Sequence, residues 1–318
     1  MNGQALRPWG RAVKYGALYR LARLQAALPA PTLRSPPTTP PVFVIGCGRS
    51  GTTVLGDLLA RHPDVRYLFE PYHAWAAIDP RTDSTQLYTH GEARTLMGAA
   101  DLRPEARRRF HRLFLAPWAR DRRAALVEKT PLNAFRIGYL DALCPGARFL
   151  HIARDGVDVA RSIHRLATKN TYQIAARPDF NQWWGTRSAK WGFLARDGAL
   201  AGYFGDEVPL LRDDMARGAY EWLVSLGEIE RWSEHLGPRL HALALPALIA
   251  DPQATLRGVA AFVGIGAPAG WLAAAEETMR EAPGSKGPDL RLPPAMCAAF
   301  NARQAAHGFA GRALPAPA

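Results

Sequence analysis

Acidic residues are missing from the first part of the chain, where no Asp or Glu precedes Asp57. Over all 318 residues, 40 lysines and arginines outnumber 28 acidic residues, which gives a net charge of +12. Such an excess indicates an anionic partner, and a nucleotide, an acidic glycan, a nucleic acid and a membrane surface are all compatible with it. The sequence has no helix-turn-helix, zinc or RNA-binding signature, so we expect no nucleic-acid partner.

Cysteine is scarce as well. Cys47, Cys144 and Cys297 lie far apart, with no C-x-x-C pair and no zinc spacing. An odd number of isolated cysteines is typical of free thiols in a reducing compartment, so we expect a cytoplasmic protein. No convincing metal-ligand cluster is present, and we expect no metal. Hydrophobic residues make up 48% of the chain, which is enough for a sizeable core.

Residues 1–41 differ from the rest and predict a basic helix with a proline-rich linker, ahead of a single domain over 42–318. Arg20 and Arg23 interrupt the apolar stretch, which excludes a secretory signal and a membrane span. A helix packed on the domain, or a frayed tail, is the more common meaning of this pattern. The alternative is contact of residues 1–30 with an anionic inner membrane surface. The expected apolar face consists of Leu6, Trp9, Val13, Leu21, Leu24 and Leu28.

Residues 42–53 hold the pattern around which the chain is organised, VFVIGCGRSGTT. The first four residues are typical of a buried strand, three glycines break the run, and leucines at helical spacing follow. A strand, a glycine loop and a helix N-terminus together attract phosphate. The arrangement is similar to a P-loop, but Thr52 stands where P-loop enzymes carry lysine, and the positive charge of the loop lies at Arg49.

The missing lysine argues against ATP or GTP chemistry, because in P-loop enzymes this lysine reaches the β- and γ-phosphates. No apolar strand ends in a plausible magnesium-binding aspartate either. A P-loop nucleotide kinase therefore remains the alternative function.

The run Gly-Arg-Ser-Gly-Thr-Thr resembles the 5′-phosphosulfate loop of sulfotransferases that use 3′-phosphoadenylyl sulfate (PAPS). Residues 147–165 are similar to the 3′-phosphate motif of that family, in which a strand ending in arginine precedes a helix that carries serine. The resemblance extends over about residues 41–265 and is closest to the glycan and tyrosylprotein enzymes and to bacterial sulfotransferases. It implies that PAPS is bound by Gly48, Arg49, Ser50, Gly51, Thr52, Thr53, Arg154 and Ser162.

The same resemblance implies three catalytic residues. Glu70 lies 21 residues after Arg49, close to the spacing at which relatives acting on tyrosine or glycans carry their catalytic base. Lys129 follows a short strand candidate, where relatives have a basic residue that faces the leaving group. Arg49 and Lys129 would stabilise the departing phosphate with fixed positive charge.

Alternating strands and helices predict a three-layer α/β/α fold with a central, mostly parallel sheet and a P-loop-like phosphate loop. We therefore expect a sulfotransferase that transfers the sulfuryl group of PAPS to an acceptor hydroxyl. A carbohydrate or glycolipid acceptor fits the aromatic residues, the arginines and the Glu70 spacing best. A peptide tyrosine and a small alcohol remain open.

Four less regular stretches carry further expectations. Residues 72–102 have no period and predict a loop, with a lid as one role. Eight arginines between 103 and 123 indicate a solvated face or, less commonly, a groove for an anionic acceptor. Residues 240–249 predict a strand. The resemblance implies that residues 284–287 are a late basic loop that wraps the 3′-phosphate, although the Lys-Trp signature of relatives is absent here.

Overall fold

The computed structural model describes residues 8–29, 39–121, 123–175, 177–279 and 287–317. The strands are β1 (Val42–Ile45), β2 (Val65–Phe69), β3 (Ala125–Lys129), β4 (Arg148–Ala153), β5 (Phe180–Asn181), β6 (Gly185–Thr186), β7 (Leu240–Ala244), β8 (Arg291–Leu292) and β9 (Leu314–Pro315). The α-helices are α1 (Pro8–Ala27), α2 (Thr52–Ala60), α3 (Tyr72–Ile78), α4 (Pro104–Phe110), α5 (Ala116–Trp118), α6 (Ile137–Leu143), α7 (Gly156–Lys169), α8 (Ala189–Leu200), α9 (Asp214–Leu236), α10 (Leu245–Ala250), α11 (Pro252–Val263), α12 (Ala269–Met279) and α13 (Pro294–Ala306). A π-helical turn, His111–Leu115, joins α4 to α5, and 3₁₀ turns cover Pro80–Thr82, Ala99–Asp101, Pro131–Phe135, Val208–Leu210 and Gly237–Arg239.

Five of these strands form one sheet in the order β2-β3-β1-β4-β7, and every neighbouring pair is parallel. The central strand is β1, which pairs Val44 with Lys129 of β3 and with Leu150 of β4. Parallel pairing brings all five C-terminal ends to one edge, where open α/β sheets bind their ligands. The predicted three-layer fold with a mostly parallel sheet is confirmed.

Side chains of β1 enter two different cores because successive residues of a strand point to opposite faces. Phe43 and Ile45 pack against residues of α3 and α6, whereas Val42 and Val44 pack against residues of α2 and α11. All four are fully buried. Burial of one such side chain contributes about 1.5–3 kcal/mol, so both layers of helices stabilise the strand that precedes the phosphate loop.

The loop expected over residues 72–102 is confirmed only in part, because 72–78 form α3 and 83–98 contain neither helix nor strand. The role of a lid stays a prediction. Helix α3 occupies the first part, and Trp75 and Ile78 are buried in the core. The remainder is held by the buried Arg136, which donates hydrogen bonds to the backbone oxygens of Thr82 and Arg94 at 2.7 and 2.9 Å. The helix is short and buried over most of its length, so its sequence has no polar face to reveal a period.

The strand expected over residues 240–249 is confirmed for its first half and wrong for its second half. Strand β7 ends at Ala244, and α10 begins at the next residue. Pro246 lies in the first turn of α10, where a missing N–H costs nothing, whereas the ladder of a strand would lose a hydrogen bond there. The apolar run alone did not distinguish the two structures.

We expect Arg136→Met to lower the free energy of unfolding by about 3 kcal/mol or more, because buried carbonyls lose their donor. Chemical denaturation measures this loss. Hydrogen exchange should accelerate first in residues 80–96, and Arg257→Met on the exposed surface of α11 is the matched control. Equal acceleration in β1 and β4 would contradict a local role for Arg136.

Candidate active site

The loop of residues 46–51 connects β1 to α2 at the C-terminal edge of the sheet. Gly51 stands at the N-cap of α2 with φ of 97°, a left-handed conformation that glycine adopts without strain. Arg49 is also left-handed, with φ of 73°, which costs a residue with a side chain about 1–2 kcal/mol. The turn buries Ser50 and Thr52 and leaves Arg49 at the surface of the loop. The first backbone N–H groups of α2 therefore lie beside an arginine, as anion binding requires.

Arg49 connects the two predicted phosphate motifs. Its Nε donates to Oγ of Ser162 at 3.0 Å, and Nη1 of Arg154 donates to the Arg49 carbonyl at 3.4 Å. Nη2 of Arg154 lies 3.0 Å from Oδ2 of Asp158 one turn along α7. Partial removal from water lowers the pKa of Arg49, and the positive charge of Arg154 lowers it further. Positive charges held this close favour an anion between them.

Glu70 and Lys129 come together because β2 and β3 are neighbours and end at the same level. Nζ of Lys129 lies 2.5 Å from Oε1 of Glu70 and 3.0 Å from Oγ1 of Thr53. The lysine is fully buried, and its Nζ lies 4.2 Å from the centre of the Phe69 ring. Glu70 is left-handed, with φ of 40°, and its backbone N–H donates to the Lys129 carbonyl at 2.8 Å. The predicted base is therefore fixed next to a predicted cation.

Three carboxylates lie near this edge, and they differ in what they contact. Glu128 is fully buried and accepts hydrogen bonds from Trp75, Thr130 and Asn133, and burial raises its pKa to about 7. Both oxygens of Glu221 accept from neighbouring side chains. In the described part of the chain no donor reaches Oε2 of Glu70, and Glu70 lines the cavity described next.

A cavity of about 540 Å³ opens beside these residues. Of the predicted site residues, those that line it are Gly48, Arg49, Thr52, Thr53 and Glu70. The other five do not line it. Ser50 and Gly51 belong to the same loop, Lys129 contacts Glu70 and Thr53, and Arg154 and Ser162 contact Arg49. None of the described arginines between 103 and 123 lines it, and the anionic-groove hypothesis gains no support here.

The sequence did not identify a buried group beneath the loop. Nζ of Lys190 lies 2.8 Å from Oε1 of Glu221 and 3.9 Å from the centre of the Trp183 ring. Nε1 of Trp183 donates to Oε2 of Glu221 at 3.0 Å, and its ring lies directly against Gly48. The aromatic richness of this region was the only signal, because no spacing links α8 and α9 to the loop.

Helix α1 also contributes to the cavity, which its position in the sequence did not indicate. Lys14, Tyr15 and Leu18 line the cavity opposite the phosphate loop. The hydroxyl groups of Tyr15 and Tyr172 are in hydrogen-bonding contact, and the Arg11 guanidinium lies 4.0 Å from the centre of the Tyr172 ring. Burial is the main reason why the pKa of Tyr15 is raised.

The loop expected at 284–287 lies outside the described residues except for Gly287. The carbonyl of Gly287 accepts a hydrogen bond from Nη2 of Arg161 at 3.0 Å. Gly287 therefore contacts α7 at Arg161, the residue before Ser162. Closure over a nucleotide stays a prediction.

Comparison with known proteins identifies the family to which the segment with the phosphate loop belongs. Residues 40–197, close to half of the chain, match the sulfotransferase family. Residues 40–197 belong to the sulfotransferase family. Every predicted site residue, from Gly48 to Ser162, lies inside this sulfotransferase segment.

Individual relatives are more distant. A stretch of 59 residues is 39% identical to carbohydrate sulfotransferase 7 of Mus musculus and covers 18% of this chain and 10% of that protein. The sulfotransferase domain of the Synechococcus PCC 7002 olefin synthase is 17% identical over 88% of this chain and 98% of that chain, with a TM-score of 0.48. Mouse sulfotransferase SULT7A1, solved in complex with PAP, is 14% identical over 76% of this chain and 64% of that chain, with a TM-score of 0.40.

The contact between Gly48 and Trp183 generates a prediction. A Cβ atom at position 48 would lie 2.4 Å from Cη2 of Trp183, so Gly48→Ala must displace the ring or the loop. We expect the variant to weaken binding of 3′,5′-adenosine bisphosphate about 10-fold or more in calorimetric titration, since the loop N–H groups lose their alignment.

The double variant Gly48→Ala/Trp183→Leu should recover part of this affinity, because the smaller side chain makes room. Gly258→Ala is the control, since no atom outside its own helix lies within 4 Å of a Cβ built there. A double variant that binds no better than Gly48→Ala would mean that the ring does not position the loop.

Proposed function

We propose that this sulfotransferase-family protein transfers the sulfuryl group of PAPS to an acceptor hydroxyl, with Glu70 as the general base. The observation that carries the proposal is one contact: Arg49 joins the phosphate loop to Ser162, while Glu70 lines the same cavity. The loop and Glu70 line one cavity, and Arg154 contacts that loop through the Arg49 carbonyl, although the three come from separate strand ends. This arrangement supports a reaction between a bisphosphorylated donor and a hydroxyl group.

In this proposal the backbone N–H groups of residues 48–53 hold the 5′-phosphosulfate. Arg154 and Ser162 hold the 3′-phosphate, which ATP lacks. Arg154 therefore determines specificity as well as affinity. Thr52 occupies the position of the P-loop lysine, which weighs against the kinase alternative.

The transfer begins when Glu70 accepts the proton of the acceptor hydroxyl. The acceptor oxygen then forms a bond to sulfur, and the bond between sulfur and the phosphate oxygen breaks. Lys129 forms an ion pair with Glu70 in the structure, and the attraction between the two side chains weakens once the carboxylate is protonated. The ammonium group and Arg49 then stabilise the charge that develops on the leaving phosphate.

A carbohydrate or glycolipid is the proposed acceptor. Tyr15, Tyr72 and Trp183 line the cavity, and flat aromatic faces suit sugar rings. The short match to a carbohydrate sulfotransferase points in the same direction. A peptide tyrosine or a small alcohol would also meet an aromatic wall, and an acceptor screen with labelled PAPS separates the three classes.

Location and metal use belong to the same proposal. In the described ranges no helix has the length and apolar character needed to cross a bilayer. A cytoplasmic location, independence from metal ions and a lack of nucleic-acid binding stay predictions. Activity assays with a chelator test independence from metal ions. A salt-dependent gel shift with random DNA tests the lack of nucleic-acid binding.

We expect Glu70→Gln to retain binding of 3′,5′-adenosine bisphosphate within about 3-fold and to lose at least about 100-fold in kcat, the usual weight of a general base. The amide keeps the size of the side chain but does not accept the proton. Glu105→Gln, on the exposed surface of α4, is the matched control. Substantial turnover by Glu70→Gln in an assay with labelled PAPS would exclude Glu70 as the base.

We expect Arg154→Ala to weaken 3′,5′-adenosine bisphosphate about 100-fold and adenosine 5′-monophosphate less than about 3-fold, because only the former carries the 3′-phosphate. Calorimetric titration of both nucleotides measures the difference, with Arg257→Ala as the control. Equal losses for the two nucleotides would contradict the assignment of Arg154.

The experiment that tests the function as a whole is titration of the wild-type protein with 3′,5′-adenosine bisphosphate and with ATP, without added metal. Tight binding of the bisphosphate alone is the expected result. Tighter binding of ATP, particularly with magnesium, would favour the nucleotide kinase instead.

A further inference from the structure

Helix α1 has an inner and an outer face with different surroundings. On the inner face, Ala22 and Ala26 are buried in a small cluster with Ala77 of α3. Tyr15 and Leu18 line the cavity of about 540 Å³ beside Glu70, which we call the reaction cavity. The outer face and the residue after the helix expose large apolar side chains. Their exposed fractions lie between 49% and 71%, and they are Trp9, Val13, Leu21, Leu24 and Leu28.

This exposed set includes every described residue of the apolar face expected from the sequence, and Leu6 lies outside the described residues. The helix therefore packs on the domain through small and aromatic residues and Leu18, and leaves Val13, Leu21 and Leu24 uncovered. Several large apolar side chains exposed on one helix face mark a surface that contacts something else.

Charge around the row indicates the chemistry of that partner. Helix α1 contains no acidic residue, and Lys14, Arg20 and Arg23 are exposed on it. Arg23 also lines a cavity of about 500 Å³ together with Arg108 and Arg109 of α4. Large apolar side chains flanked by cations match the interface of a bilayer that contains anionic lipids.

An apolar groove lies between this row and the reaction cavity, and the groove and the cavity share part of their lining. Leu21 and Phe69 line a groove of about 290 Å³, and Phe69 is 54% exposed. Leu18, Phe69 and His73 line both the groove and the reaction cavity. Phe69 directly precedes Glu70. An apolar chain lying in the groove would thus contact the residue next to the proposed base.

We propose that the outer face of α1 binds an anionic lipid bilayer and that the enzyme takes its acceptor from that bilayer. The apolar part of the acceptor follows the groove of Leu21 and Phe69, and its hydroxyl-bearing head group enters the cavity beside Glu70. The route of the acceptor rests on the proposed function, whereas the binding of the bilayer does not.

The test is flotation of the full chain with vesicles of phosphatidylcholine alone or with phosphatidylglycerol added. We expect the wild-type protein to float with the mixed vesicles and the triple variant Leu21→Gln/Leu24→Gln/Leu28→Gln to partition at least about 100-fold less, because three aliphatic side chains no longer enter the interface. Leu200→Gln/Leu210→Gln is the matched control, since these leucines are 83% and 56% exposed outside α1. The control should float like the wild type.

Charge and specificity have their own variants. Arg20→Gln/Arg23→Gln should bind the mixed vesicles about 10-fold or more weakly, because each arginine near an anionic surface contributes to the attraction. Its vesicle binding should also depend less on salt concentration than that of the wild type. Equal flotation of the wild type and the triple variant would overturn the proposal. So would a wild type that stays unbound, or one that forms an α1-dependent dimer in sedimentation in place of binding vesicles.

Titration with 3′,5′-adenosine bisphosphate separates this proposal from the proposed function. The triple variant should bind the nucleotide like the wild type, which also shows that it is folded. Photoactivatable phosphatidylglycerol in the mixed vesicles then tests the route of the acceptor. Crosslinks are expected at residues of the groove, and crosslinks confined to surfaces away from α1 would exclude that route.

Discussion

Parallel pairing of β1 with β3 on one side and β4 on the other is the constraint on which the site depends. The three strands end at one edge, so the loop after β1, Lys129 at the end of β3 and Arg154 after β4 become neighbours. Residues that are far apart in sequence meet without any direct interaction having to draw them together. The two layers of helices bury β1 on both faces and hold this edge rigid.

Two of the proposed catalytic residues have strained backbones. Arg49 and Glu70 are both left-handed, and each conformation costs about 1–3 kcal/mol that the surrounding structure must offset. For Glu70 the offset includes the hydrogen bond between its N–H and the Lys129 carbonyl, as well as the ion pair of the two side chains. For Arg49 it includes the hydrogen bonds to Ser162 and from Arg154.

The reaction cavity has walls of unlike character. The phosphate loop and the ends of β2 and β3 provide fixed charge, whereas α1 and the aromatic segment before α8 provide flat or apolar surfaces. The ion pair of Lys190 and Glu221 holds Trp183 where these two kinds of wall meet. An acceptor with a ring and a hydroxyl group would contact both, and the apolar groove beside Phe69 extends the second wall to the protein surface.

The sequence by itself determined the strand, loop and helix around Arg49, the parallel three-layer fold and the family, because these follow from local patterns and from motifs of fixed spacing. It also brought Glu70, Lys129, Arg154 and Ser162 into consideration, although their roles remain proposals. Only the tertiary structure decided that residues 72–78 form a buried helix and that the backbone of Thr82 and Arg94 is held by Arg136. It also decided that Trp183 lies against Gly48, and that α1 lines the reaction cavity while exposing Leu21 and Leu24. Contacts of this kind join residues distant in the chain, and no local period or spacing records them.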